Sequence, residues 1–131
     1  MNENIGERAA VRIAVVDDEP SVCRSLARLL RVAGYSVHTF GSGAELLESP
    51  ALAELDFVFI DLQMPGPNGL QVAAQLRKDH PKLPVVLMTA SEEYEYERHK
   101  HPQDVVDACL KKPLDSTLAL QTIEKCLQRA R

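Results

Sequence analysis

Three acidic positions, a threonine and a lysine each follow closely on a short apolar run. Asp17 and Asp18 follow Val11–Arg12–Ile13–Ala14–Val15–Val16, and Asp61 follows Phe57–Val58–Phe59–Ile60. Thr89 follows Pro84–Val85–Val86–Leu87–Met88, and Lys112 comes just after the run within Val105 to Leu110. Three carboxylates meeting at one place repel one another, and each then tends to hold its proton. A divalent cation removes the conflict, and hard oxygen ligands with one or two direct carboxylates match Mg²⁺. Lys112 adds a movable point charge and Thr89 a hydroxyl donor. Together they suit a phosphoryl group, whose transfer needs charge neutralisation and in-line positioning more than covalent chemistry. Asp61 is the candidate nucleophile, because a carboxylate ending a central strand can present an oxygen to phosphorus.

These five positions meet only if the elements between them place every strand end on one edge. Val11 to Val16 is rich in β-branched residues and reads as a buried strand, stopped by Asp17–Asp18–Glu19–Pro20. Pro20 suits the first turn of a helix. Val22, Leu26, Leu29, Leu30 and Ala33 then recur at helical steps until Gly34. Tyr35 to Phe40 alternates as a short strand, and Gly41–Ser42–Gly43 leads to a short helix over Ala44 to Glu48. After Asp61, a Met64–Pro65–Gly66–Pro67–Asn68–Gly69 loop opens a helix with Leu70, Val72, Ala73 and Leu76 inward. Two further apolar runs give strands four and five. The last helix, Leu114 to Leu127, is read with Leu118, Ile123 and Leu127 on one side. Short apolar strands alternating with amphipathic helices predict an α/β doubly wound fold, a five-stranded parallel sheet covered on both faces. Ligands in such sheets lie beyond the carboxyl ends of the strands, where the strand order reverses.

Bulk properties narrow the class. A chain of 131 residues fits one domain, and 45 % hydrophobic residues build a core without disulfides or structural metal. Residues 1–10 read as a flexible lead-in and 11–128 as the domain. A net charge of -4 argues against direct nucleic-acid binding. Cys23, Cys109 and Cys126 contain no C-x-x-C pair, which suits a reducing cytoplasm and speaks against a cysteine zinc site. No apolar run is long enough to span a membrane, and the polar start has no signal-peptide core. Each site residue also has a plainer reading. Asp17–Asp18–Glu19 could merely favour a helix N-terminus, Asp61 could open a turn, and Thr89 could cap a helix. All of them in order, each at a strand end, outweigh those separate roles. Lys111, His38, His80, His99 and His101 read as surface residues. Cys23 and Cys126 read as buried inert thiols on helices that share a sheet face.

The segments Val15–Val16–Asp17–Asp18–Glu19–Pro20, Phe59–Ile60–Asp61–Leu62–Gln63–Met64–Pro65–Gly66, Met88–Thr89–Ala90 and Lys111–Lys112–Pro113 resemble the response-regulator receiver domains. The resemblance runs from about Val11 to Leu127. It implies the flavodoxin-like (βα)5 fold with Asp61 as the phosphorylated aspartate, supplied by a sensor histidine kinase or phosphotransfer protein. It further implies Mg²⁺ held by Asp18, Asp17, Asp61 and the backbone carbonyl of Gln63. Thr89 corresponds to the switch hydroxyl, Ala90 to the small residue whose N–H approaches the phosphate, and Lys112 to the family lysine, with Lys112–Pro113 cis. The family's output is a shifted partner surface, read by a downstream protein or a fused DNA-binding domain. It is a self-catalysed phosphoacceptor instead of a conventional enzyme.

Two departures qualify the resemblance. The residue three before Lys112 is often Tyr or Phe in the family and is Cys109 here, which removes an aromatic switch at that position. The segment Ser91 to Val105 lacks a clear apolar stripe, and Pro102 forbids a helix continuing through it. An atypical, short or shifted fourth helix is expected there. The main alternative function is an interaction module of the same fold that works without phosphate. An aspartyl phosphatase ranks lower, because Gln63 stands where an acid/base carboxylate is needed. A flavin site ranks lower still, because the acidic loop after the first strand would repel a flavin phosphate.

Overall fold

The computed structural model describes residues 10–90 and 105–130. Five strands form one sheet: β1 (Arg12–Val16), β2 (Ser36–Phe40), β3 (Phe57–Asp61), β4 (Val85–Thr89) and β5 (Ala108–Lys111). All pairings are parallel, in the order β2-β1-β3-β4-β5. The order therefore reverses between β1 and β3, whose carboxyl ends carry Asp17, Asp18 and Asp61. Four helices are described: α1 (Pro20–Val32), α2 (Gly43–Glu48), α3 (Gly69–Asp79) and α4 (Ser116–Ala130). A 3-10 turn, Pro50–Glu54, precedes β3 and was not foreseen from the sequence.

Successive strand residues point to opposite faces, and each face has its own core. Ala14, Val16, Val58, Ile60, Val85 and Leu87 pack with Leu46 of α2 and Leu70, Val72, Ala73 and Leu76 of α3. Ile13, Val15, Phe57, Phe59, Val86 and Met88 pack instead with Leu26, Ala27 and Leu30 of α1 and with Ala119 and Ile123 of α4. Cys23 and Cys126 both lie in that second core, as free thiols whose pKa burial pushes up. Each Val, Ile or Phe fully withdrawn from water contributes about 1.5–3 kcal/mol, so strands covered on both sides must be apolar throughout.

Two helix faces differ from the sequence reading. In α1 the buried stripe is Cys23, Leu26, Ala27 and Leu30, while Val22 and Leu29 are half-buried and Ala33 is exposed. In α4 the stripe is Ala119, Ile123 and Cys126, whereas Leu118 is 47 % exposed and Leu127 half-buried. Both corrections have one cause. A residue one position off the stripe is turned by about 100°, and small residues such as Ala119 and Cys126 hold the inward line although a hydropathy pattern favours the leucines. The segment 91–104, with the atypical helix expected there and with His99 and His101, lies outside the described residues, as do residues 1–9 of the lead-in.

The turn from β3 into α3 is tightly built. Asn68 and Gln71 form a reciprocal capping box, Gly66 has φ +77°, and the Gly69 N–H donates to the Leu62 carbonyl. A Cβ on Gly69 would lie 2.5 Å from the Asp61 carbonyl oxygen and 2.9 Å from Leu62 Cα, both backbone atoms. Gly69→Ala is therefore expected to destabilise the fold by about 2 kcal/mol and to displace the end of β3, measured by urea unfolding. An unchanged midpoint would contradict the packing described here.

Candidate functional site at the sheet's carboxyl edge

Strand register brings the chosen residues to one crevice. Asp61 pairs with Met88 and Thr89 with Lys111, so Asp61, Thr89 and Lys112 come from three adjacent strand ends. The Lys112 N–H donates to the Thr89 carbonyl at 2.7 Å, and Lys112–Pro113 is cis. The Asp17 N–H donates to the Phe40 carbonyl, which extends the ladder one residue past β1. Asp17, Asp61 and Thr89 are buried, Lys112 is half-buried, and Asp18, Gln63 and Ala90 are exposed. Each expected site residue thus lies on this edge of the sheet.

Electrostatics there are strained in a particular way. Carboxylate oxygens of Asp17, Asp18 and Asp61 lie within 4.8 Å of one another. Lys112 Nζ stands 2.7 Å from Asp17 Oδ2, 3.4 Å from Asp61 Oδ1 and 3.5 Å from Glu19 Oε1. Burial and the neighbouring Asp17 charge push Asp61 up to about 6, against the opposing pull of Lys112 and a long 3.4 Å hydrogen bond from the Gln63 N–H. Burial lowers the Lys112 ammonium, but Asp17 and Asp61 raise it further, so its net shift is upward. One lysine therefore faces three carboxylates.

The donor set fits a hard divalent cation. Asp17 Oδ1 accepts the Glu19 N–H at 3.0 Å, while among the described residues its buried Oδ2 accepts no well-directed hydrogen bond and faces the nearby Lys112 ammonium. Buried Asp17 and Asp61 beside exposed Asp18 leave one side open, as an ion that keeps waters and phosphate oxygens requires. Among the described residues this is the sole group of three or more His, Cys, Asp or Glu side chains close enough to hold a metal.

Three features of the site were not foreseen. Glu19, read only as part of an acidic run, reaches Lys112. Gly69 packs directly beneath the Asp61 backbone. Cys23 Sγ donates to the Asp17 carbonyl at 3.3 Å. The Pro65–Gly66 turn pattern hinted at the second of these. Nothing in the one-dimensional order signals the first or third. His38 is exposed and His80 half-buried, and neither joins the crevice. Cys109 lies half-buried in β5, packed against the first core. No helix among the described residues is long and apolar enough to cross a membrane.

Comparison with known proteins agrees with this geometry. The profile of the response regulator receiver domain matches residues 13–124. The DNA-binding transcriptional regulator NtrC of Escherichia coli K12 is 37 % identical over 113 residues, covering 86 % of this chain and 24 % of that protein. The probable transcriptional regulatory protein TcrX of Mycobacterium tuberculosis is 35 % identical over 85 residues, 65 % of this chain and 36 % of its own length. The chain thus spans about a quarter to a third of these relatives. Among solved structures, the Thermotoga maritima response regulator TrrA in complex with Mg²⁺-BeF superposes with a TM-score of 0.78 at 30 % identity, covering 88 % of this chain and 98 % of that one. A receiver domain protein from Clostridium thermocellum gives a TM-score of 0.82 at 22 % identity, with 91 % and 95 % covered, a likeness of fold alone. The chain belongs to the response regulator receiver domain family of two-component systems.

Proposed function

We propose that this receiver accepts a phosphoryl group on Asp61 from a phosphohistidine or a small phosphodonor, with Mg²⁺, and thereby shifts a partner-binding surface. The observation that carries the proposal is the convergence of Asp17, Asp18, Asp61 and Lys112 on one strand edge. Asp18, Asp17 and Asp61, with the Gln63 backbone carbonyl, would hold the cation. When bound, it would neutralise charge on the phosphoryl oxygens. The chain's own groups do the rest. An Asp61 carboxylate oxygen forms the new bond to phosphorus as the bond to the donor's nitrogen or oxygen breaks, its electron pair leaving with the donor. Lys112 donates to a phosphoryl oxygen, and the Thr89 hydroxyl and Ala90 N–H supply further donors.

Beside Lys112, a groove of about 550 Å³ runs between α1 and the start of α4, lined in part by Val22, Leu26, Leu29, Pro113 and Leu114. Its apolar lining suits a sensor kinase or phosphotransfer protein delivering phosphohistidine. By analogy with relatives named as transcriptional regulators, the output is a downstream protein or a fused DNA-binding domain, and the compartment is the cytoplasm.

Incubation with acetyl phosphate and Mg²⁺ is expected to add one phosphoryl, about 80 Da by intact mass, and chelation to abolish the gain. An unmodified chain under both conditions would favour the phosphate-independent interaction module. A separate test addresses the metal. Asp18 is exposed, so Asp18→Asn should leave the fold intact yet lower Mg²⁺ affinity about tenfold or more by calorimetry. Equal affinities would remove Asp18 from the ligand set.

A further inference from the structure

Glu19 occupies the N-cap position of α1, yet its side chain makes no cap hydrogen bond. The short polar side chains favoured at this position accept from an N–H of their own helix, a role the longer Glu19 side chain does not take. Here the carboxylate turns back across the mouth of the crevice, and its Oε1 stands 3.5 Å from Lys112 Nζ. That is about as far from the ammonium as Asp61 Oδ1, at 3.4 Å. The Glu19 side chain is 62 % exposed, so packing does not explain its direction. It also lies outside the group of carboxylates close enough to hold a metal, which comprises Asp17, Asp18 and Asp61.

This placement separates Glu19 from its acidic neighbours. A cation shared by Asp17, Asp18 and Asp61 draws on the same carboxylate charge that holds Lys112 in its absence. Among the described residues, Glu19 then remains the anion nearest Nζ that the cation does not claim. A phosphodonor brings a second negative charge to the same ammonium, and the two compete for it. Glu19 also places its charge where an anionic donor must enter, so both effects oppose phosphoryl arrival.

We propose that Glu19 is a positioning residue that restrains Lys112 at the crevice mouth and slows phosphoryl uptake by anionic donors. The assignment rests on the reading of Asp61 as phosphoacceptor. Removing the charge frees the ammonium to meet the incoming phosphoryl oxygens and lowers repulsion at the entrance. Because the group is exposed, its influence is screened by salt.

Two measurements on the whole chain test this. At saturating Mg²⁺ and low ionic strength, Glu19→Gln should take up phosphoryl from acetyl phosphate about threefold faster than the wild type. The difference should shrink toward none at roughly 1 M salt, where the screening length is only about 3 Å. Without metal or donor, the ¹⁵Nζ resonance of Lys112, assigned by its loss in Lys112→Arg, should move in Glu19→Gln. An unchanged or slower rate, a salt-independent difference, or an unmoved resonance would each overturn the assignment. A wild-type chain that takes up no phosphoryl would instead sink the acceptor reading itself, and that outcome appears before any variant is compared.

Discussion

Asp61→Asn is expected to abolish phosphoryl uptake and, in the metal-free protein at pH 7, to make the fold more stable. Asp61 is buried beside Asp17, and its pKa rises from 3.8 to about 6. Below pH 3.8 the carboxyl is protonated in the folded and unfolded chains alike and costs nothing. Between 3.8 and about 6 the unfolded chain loses its proton first, so stability falls as pH rises. Above that window the cost is constant. A shift of this size corresponds to at most about 3 kcal/mol, which an uncharged asparagine relieves. Urea unfolding at pH 7 should therefore show a gain of about 1–3 kcal/mol that disappears near pH 4. Saturating Mg²⁺ should reverse the ranking, because asparagine cannot match the carboxylate as a ligand. A variant less stable than wild type in chelator at pH 7 would contradict the electrostatics described here.

Lys112→Ala should have the largest cost in stability. It leaves buried Asp17 and Asp61 without their cation, and removing one partner from a buried charge cluster typically costs about 3–5 kcal/mol. Glu19 loses little, being exposed. The loss should be greatest near pH 7 in chelator and smaller at pH 5, where Asp61 can take up a proton. Mg²⁺ should recover part of it by supplying positive charge to the same oxygens. Denaturant midpoints at two pH values, with and without Mg²⁺, give all four numbers. Equal losses in all four conditions would mean that Lys112 acts by packing and not by charge.

The sheet was legible because its strands leave no choice of face. Val85 to Met88 and Phe57 to Ile60 are apolar at every position, which only a sheet covered on both sides accommodates. Asp17, Asp18, Asp61, Thr89 and Lys112 were legible for the same reason, since each terminates or closely follows such a run and parallel strands end on one edge. Helix faces were less so. Cys23, Ala27, Ala119 and Cys126 line the core, yet hydropathy alone ranks Leu29 and Leu118 above them. Small residues permit close helix–sheet approach, a benefit of shape that a periodicity count does not register. Contacts between distant residues were least legible. Glu19 and Lys112 lie 93 positions apart and meet only through the sheet order and one side-chain orientation. The constraint on Gly69 likewise comes from the Asp61 carbonyl, eight residues earlier but directly above it.

Peptide mapping of the reacted chain tests the central proposal most directly. After acetyl phosphate and Mg²⁺, borohydride reduces an acyl phosphate to the alcohol, which would leave homoserine in place of one aspartate. Homoserine is expected at position 61 alone, dependent on the divalent cation. Trapping at another aspartate, or none in a folded, Mg²⁺-loaded chain, would contradict it.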